Sequence, residues 1–167
     1  IFYMISPIAV SNSFLTNKEC KFLIDYFEKH YEENGRYTHK GTQTLVLPYS
    51  PPFHLRKEYL RRKIRNNILS QYPNLIFNYD HIVKWPSGSS REYHYDRDPL
   101  QHGQLRADWT SVCYLNEDYE GGKTMLEKLN VKPRTGRISM FNSKNIRHGV
   151  ERVHGTRYTY IAWWQEN

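Results

Sequence analysis

Apolar positions recur with two different rhythms along the chain, and the change between them near residue 75 divides it. In the first part the spacing is helical. Thr16-Asn17-Lys18-Glu19 is a capping-box signature, and Phe22, Leu23, Tyr26 and Phe27 follow at helical intervals, predicting a helix closed by Gly35. A second helix is predicted from His54 to about Gln71, with Leu55, Tyr59, Leu60, Ile64, Ile68 and Leu69 as its buried stripe and Pro73 after its end. The basic residues from Arg56-Lys57 to Arg65 alternate with that stripe and read as the wet face of the helix. Residues 1–10 read as a short strand interrupted by Pro7. Residues 36–53, with Gly41, Pro48, Pro51 and Pro52, read as a long loop holding one strand at Thr44–Leu47. A loop of that length in a compact domain suits a lid or a binding loop.

From Leu75 the rhythm alternates. Strands are predicted at Leu75–Trp85, Glu92–Asp96, Ala107–Leu115, Lys123–Leu126, Arg137–Phe141, Gly149–Val153 and Tyr158–Trp164. Pro86-Ser87-Gly88, Glu120-Gly121-Gly122, Pro133-Arg134-Thr135-Gly136 and His154-Gly155 supply turns between them. Two helices followed by many short strands give an α+β class whose β part is a barrel or sandwich. The expectation is one domain over 1–167, with helical support in 1–74 and the β core in 75–167.

Composition adds little to that picture and charge adds more. Fourteen tyrosines among 167 residues agree with a pleated body. A formal charge of +7 points to an acidic partner: nucleic acid, an anionic cofactor, an acidic peptide or a membrane surface. No basic block reads as a disordered nucleic-acid arm, and no basic stretch is interleaved with aromatics in the manner of single-strand binders. Cys20 and Cys113 read as buried apolar residues, not as a disulfide. No apolar run approaches the roughly 20 residues that span a bilayer. The opening Ile1-Phe2-Tyr3-Met4-Ile5 lacks a basic region and a cleavage site, so a cytoplasmic protein without membrane contact is expected.

Candidate chemistry centres on His94 and Asp96. On an extended strand these two would project from one face. With His148 they form a set of two imidazoles and a carboxylate, which leaves open positions on a metal and suits non-haem Fe(II). His30, His39, His54, His81, His102 and His154 have no partner at a telling spacing and read as surface or packing residues. Arg157 follows His148 across Val153-His154-Gly155-Thr156. A hairpin there would bring it back alongside the strand that His148 begins. Arginine is the side chain best suited to a bidentate carboxylate. On the returning strand Arg157, Thr159, Ile161 and Trp163 share one face.

Taken in order, these pieces resemble the catalytic core of the Fe(II)/2-oxoglutarate-dependent dioxygenases, in the prolyl 4-hydroxylase-like branch. The series runs Trp85-Pro86-Ser87-Gly88, His94-Tyr95-Asp96, Thr110 to Asn116, Tyr119-Glu120-Gly121-Gly122, Pro133 to Phe141, His148-Gly149-Val150 and Gly155-Thr156-Arg157-Tyr158 to Trp163. The resemblance implies a double-stranded β-helix, or jelly roll, with two N-terminal supporting helices. It implies that His94, Asp96 and His148 hold Fe(II), and that Arg157 pairs with the far carboxylate of 2-oxoglutarate. Tyr114 would donate to the same carboxylate, and Thr124 and Trp163 would line the cosubstrate pocket. Ascorbate is the reductant it suggests. Three positions depart from the pattern: Trp85 and Arg91 stand where relatives often carry tyrosine, and Ala107 where they often carry arginine.

The implied reaction hydroxylates a prolyl or similar residue in a protein or peptide, releasing succinate and carbon dioxide. An extended peptide is the expected partner, with Arg91, Arg97 and Arg106 as a basic rim and the 36–53 and 97–106 stretches over the site. The alternatives are a dioxygenase acting on a free amino acid or an alkylated nucleic-acid base, and a binding module without activity. Intact His94, Asp96, His148 and Arg157 weigh against the module.

Overall fold

The computed structural model describes residues 3–5, 8–32, 36–39, 41–47, 55–96 and 107–167. Helix α1 (Asn17–His30) starts at the capping box, where Glu19 N–H donates to Thr16 Oγ1 at 3.2 Å and Thr16 N–H donates to Glu19 Oε2 at 2.9 Å. It ends at His30, and Gly35 lies outside the described residues. Helix α2 spans Leu55–Gln71.

The strands form an antiparallel jelly roll. The larger sheet has the order β1 (Tyr3–Ile5), β2 (Ile8–Ser11), β11 (Ile138–Phe141), β7 (Trp109–Tyr114), β14 (Arg157–Glu166), β5 (Leu75–Trp85), β4 (Thr42–Val46) and β3 (Arg36–His39). The smaller sheet has the order β10 (Asn130–Val131), β9 (Thr124–Leu126), β12 (His148–Val150) and β6 (Arg91–His94). A two-stranded ribbon joins β13 (Val153–His154) to β8 (Glu120–Gly121).

Alternation along β5 and β14 divides the interior in two. Ile82, Tyr160, Ala162 and Trp164 face the helices and pack with Leu23, Phe27, Leu60 and Ile64. Val83, Trp85 and Ile161 face the smaller sheet and pack with Leu126, Phe141 and Val150. The site lies in this second compartment.

Three expectations are corrected. The 36–53 stretch is not a loop with one strand: β3 and β4 form a hairpin around Gly41 (φ 83°), and β4 extends the larger sheet by pairing with β5. A glycine that accepts positive φ makes so tight a turn possible. Residues 48–54 lie outside the described residues.

The buried face of α2 is also rotated from the apolar stripe. Leu55 and Tyr59 are 77% and 63% exposed, whereas Lys57 and Arg61 are buried with Leu60, Ile64 and Ile68. The cause is Asp80 on the helix-facing side of β5. Arg61 forks onto it, Nε to Oδ2 at 2.8 Å and Nη2 to Oδ1 at 2.6 Å, and Tyr160 donates to it at 2.5 Å. A buried carboxylate needs such a partner, and that need outweighs the burial of two apolar side chains.

Finally, no hairpin sets Arg157 beside the strand of His148. β12 belongs to the smaller sheet and β14 to the larger, while β13 pairs with β8. The chain therefore crosses between sheets, and the two residues line one cavity from different walls.

Both cysteines are free and buried. No helix among the described residues is long and apolar enough to cross a membrane.

Candidate active site

A cavity of about 230 Å³ opens between the two sheets. The smaller sheet contributes His94 from the end of β6 and His148 from β12, paired in register across the strands. Asp96 lies two residues beyond the end of β6, where the chain bends and Asp96 N–H donates to Ser143 O at 3.3 Å. Strand alternation therefore does not deliver this carboxylate; the bend after His94 does. One ligand atom from each of His94, Asp96 and His148 lies within 4.8 Å of the others. The His94 and His148 rings stand 4.3 Å apart.

The surroundings fix how these groups present themselves. His94 Nδ1 faces Glu92 O at 2.8 Å and His148 Nδ1 faces Ile146 O at 3.1 Å, so each donates its Nδ1 proton to a carbonyl and turns Nε2 inward. Asp96 Oδ2 accepts from Thr110 Oγ1 at 2.5 Å and from Trp163 Nε1 at 3.0 Å. Its Oδ1 is left facing His148 Nε2 at 3.1 Å and His94 Nε2 at 3.4 Å. Burial alone would raise the Asp96 pKa. The charge of His148, with hydrogen bonds from His148, His94 and Thr110, outweighs it and holds the carboxyl well below its usual range. Burial likewise opposes a charge on His148, but Asp96 and the Ile146 carbonyl raise its pKa. With both Nε2 protons given up, this donor set fits a divalent metal of the Fe(II) type: two imidazole nitrogens, one ionised oxygen and a side open to the cavity.

The larger sheet supplies the other end. Arg157, at the start of β14, is 1% exposed, and its guanidinium lies over the Trp85 ring at 4.7 Å and the Tyr114 ring at 5.3 Å. Nη2 reaches Thr124 Oγ1 at 3.4 Å, but Nε and Nη1 have no hydrogen-bond partner among the described residues. No carboxylate of the described residues pairs with it. A buried cation with unmet donors is costly, and a carboxylate entering from the cavity would satisfy it.

Thr124 lines the cavity beside it. Tyr114 lies behind Thr124: its hydroxyl is 2.5 Å from Thr124 Oγ1 and 3.0 Å from Val131 O. Trp85 turns its Nε1 to Thr159 Oγ1 at 3.2 Å. Arg91 lines the cavity at the β6 end. Arg97 and Arg106 lie outside the described residues.

Sequence reasoning missed several residues here. Tyr79, His81 and Thr44 line the cavity. The signal was available, because Tyr79, His81 and Val83 alternate with Trp85 on one strand and must share its face. Burial pushes the His81 imidazole down to about 4, so it is neutral near pH 7. Tyr119 is a further omission: its buried hydroxyl lies close enough to the Arg157 guanidinium to feel its charge but makes no hydrogen bond of good geometry. Gly122 allows this approach, since a Cβ there would meet Tyr119 Cε2 at 2.8 Å and Arg157 Cδ at 3.1 Å.

Comparison with known proteins agrees with this geometry. The sequence model of the 2OG-Fe(II) oxygenase superfamily matches residues 80–165. No curated protein matches the chain by sequence. Among solved structures, a viral collagen prolyl hydroxylase from Paramecium bursaria Chlorella virus-1, in complex with 2OG, is 20% identical with a TM-score of 0.71, covering 96% of each chain. A Pseudomonas putida prolyl-4-hydroxylase is 19% identical with a TM-score of 0.75, covering 96% of this chain and 92% of that one. A Trichoplax adhaerens prolyl hydroxylase in complex with a hypoxia inducible factor peptide fragment is 16% identical with a TM-score of 0.77, covering 95% of this chain and 83% of that one.

Proposed function

The chain belongs to the 2OG-Fe(II) oxygenase superfamily, and from that premise we propose that it hydroxylates a prolyl or similar residue within a protein or peptide, converting 2-oxoglutarate to succinate and carbon dioxide. The observation that carries this reading is the buried Arg157 with two open donors, set in the same cavity as His94, Asp96 and His148. A metal seat alone would serve many proteins. A metal seat that shares its cavity with an unpaired guanidinium suits a dicarboxylate that chelates at one end and is held at the other. Support for a peptide substrate comes from the fold, which is that of the prolyl hydroxylases compared above, one of them bound to a peptide.

His94, Asp96 and His148 would hold Fe(II) through two Nε2 atoms and Asp96 Oδ1. When bound, iron and 2-oxoglutarate together activate dioxygen, one oxygen atom entering succinate as carbon dioxide leaves and the other entering a substrate C–H bond. The chain's own part is binding, orientation and exclusion of water. Thr110 and Trp163 hold Asp96 Oδ2, so only one oxygen of that carboxylate points inward. Arg157 binds the far carboxylate, with Thr124 beside it and Tyr114 holding Thr124 in place. Val83, Val112, Phe141 and Ile161 wall off the space between. Arg91 stands at the β6 end of the cavity as a substrate contact.

The test is turnover of 2-oxoglutarate with Fe(II) and with ascorbate as reductant. Succinate should form and should disappear in Asp96→Ala and His148→Ala, and unchanged succinate in those variants sinks the assignment. A proline-rich peptide should raise turnover and gain the mass of one oxygen. Stimulation by free amino acids or by a methylated oligonucleotide, with none by peptides, would replace this substrate class with the alternative one.

A further inference from the structure

Along the paired strands β5 and β14 the cavity-facing residues fall in matched pairs: Trp85 with Arg157, Val83 with Thr159, His81 with Ile161, and Tyr79 with Trp163. The first pair is the carboxylate end. The last pair is the metal end, because Trp163 donates to Asp96. His81 and Tyr79 lie roughly 13 and 20 Å along β5 from Trp85, at about 3.3 Å per residue. They therefore serve whatever occupies the metal end, not the carboxylate held by Arg157.

Most polar side chains around them are already engaged. Thr110 and Trp163 bond Asp96, Thr124 bonds Tyr114, Trp85 bonds Thr159, and both ligand histidines bond carbonyls. Tyr79 and His81 differ. Tyr79 stacks on Trp163 at 4.6 Å and His81 meets the same ring edge-on at 5.0 Å. Neither the Tyr79 hydroxyl nor a His81 nitrogen has a hydrogen-bond partner among the described residues. Two donors and a flat aromatic face thus look into the cavity beside the metal ligands.

We propose that Tyr79 and His81 are specificity-determining residues that donate hydrogen bonds to the uncharged backbone carbonyls flanking the substrate carbon to be hydroxylated, while the Trp163 and Tyr79 rings receive its apolar ring. This rests on the hydroxylase reading above. The wall formed by Tyr79, His81, Val83 and Trp163 carries no charge, since burial keeps His81 neutral. The wall's own side chains offer a free amino acid's ammonium and carboxylate no counter-charge, for the nearest carboxylate, Asp96, is the one assigned to the metal and Arg91 comes from the smaller sheet. A residue inside a chain presents carbonyls instead, and an X-Pro bond offers only an acceptor, which matches two donors.

The experiment is calorimetric binding to the whole chain loaded with Mn(II) and 2-oxoglutarate, using poly(L-proline) capped at both ends, free L-proline and a methylated oligonucleotide as probes. The capped peptide should bind most tightly. His81→Leu and Tyr79→Phe should each weaken it about tenfold, as loss of one hydrogen bond of about 1.4 kcal/mol does. His81→Gln, which keeps a neutral donor, should recover most of the loss. Unchanged peptide affinity in both variants overturns the proposal, as does His81→Gln binding as weakly as His81→Leu. Free L-proline matching the capped peptide, or the oligonucleotide binding in its place, also overturns it. Cosubstrate binding, measured first without peptide, separates the two readings. A wild-type protein that does not bind 2-oxoglutarate refutes the hydroxylase reading itself, and this proposal with it. Equal loss of 2-oxoglutarate in His81→Leu assigns His81 to the cosubstrate and overturns this proposal alone.

Discussion

Substituting Arg157 by methionine should move two measurable quantities in opposite directions. Nε and Nη1 are buried donors without acceptors. Each unmet donor costs about 1–3 kcal/mol, so the pair costs about 2–6 kcal/mol in the ligand-free protein. Against this stand the Trp85 and Tyr114 faces at 4.7 and 5.3 Å, each worth about 1–2 kcal/mol to a desolvated cation. The 3.4 Å contact with Thr124 adds little. Methionine keeps the length and recovers part of the ring contact through its sulfur. The balance favours the variant by about 1–2 kcal/mol, or about 2–8 °C in Tm for a domain of this size.

The response to cosubstrate should go the other way. At roughly a hundred times its Kd, 2-oxoglutarate should stabilise the wild-type protein by about 2.7 kcal/mol, a rise of about 5–11 °C. The variant should lose most of that rise, because the far carboxylate meets no cation. Thermal unfolding followed by circular dichroism, with Mn(II) present and with or without 2-oxoglutarate, reads both quantities. A variant that melts below wild type without ligand, or that keeps the ligand-induced rise, would refute the reasoning.

Asp80→Asn should take from buried Arg61 the carboxylate that its Nε and Nη2 engage, leaving Glu58 on Nη1, and cost about 3 kcal/mol, seen as a lower urea midpoint at unchanged m-value. Gly122→Ala places a Cβ against Tyr119 and Arg157 at φ +65°; it should cost about 1–3 kcal/mol and weaken 2-oxoglutarate binding, both readable by titration. Acid should act through Glu19, Glu28 and Glu58. Burial would raise their pKa values, but Lys63, Lys84 and Lys57 with Arg61 outweigh it and hold them below the ordinary 4.5. Their contribution is complete above that value and is lost as pH falls through the folded pKa values. The urea midpoint should therefore fall in two stages as pH drops: first below about 6.5, where the unfolded chain protonates His81 while burial holds it down to about 4 in the fold, and again below about 4.5 as the three carboxylates protonate, the second stage being smaller in Lys63→Met.

What could be read in the sequence was what is local or periodic. The α1 capping box needs only Thr16 and Glu19 three residues apart, and β5 alternates from Tyr79 to Trp85, beyond the register shift that puts Leu75 and Phe77 on the helix side. The jelly-roll class followed from the helix-to-strand change of rhythm together with the ordered motif series. What could not be read were pairings between distant residues. Nothing in Arg56–Arg65 announces that Arg61 turns inward, because the reason is Asp80 on another element. The β3–β4 hairpin was hidden by flanking prolines, and its strands gain their place by pairing with β5. The bend at Asp96 was missed because the His-x-Asp spacing is equally compatible with a strand.

The same alternation explains why one pair of strands carries both the chemistry and the main polar clamp of the fold. On β5, Tyr79 and His81 face the cavity while Asp80 between them faces the helices; on β14, Ile161 and Trp163 face the cavity while Tyr160, Ala162 and Trp164 face the helices. Asp80 pins α2 through Arg61 and pins β14 through Tyr160, so the strands that hold Trp163 beside Tyr79 are fixed from behind by charge-assisted bonds. A substitution at Asp80 should therefore disturb stability first. Its effect on Asp96 would arrive only through the Tyr79–Trp163 stack, because no direct contact joins the two carboxylates. A register slip of one residue between β5 and β14 would exchange the two faces, turning Asp80 into the metal compartment and Tyr79 out of it. The long pairing from Arg157–Trp85 to Trp163–Tyr79, continued to Glu166–Leu75 in a register shifted by one residue at the bulge between Trp163 and Trp164, opposes that slip.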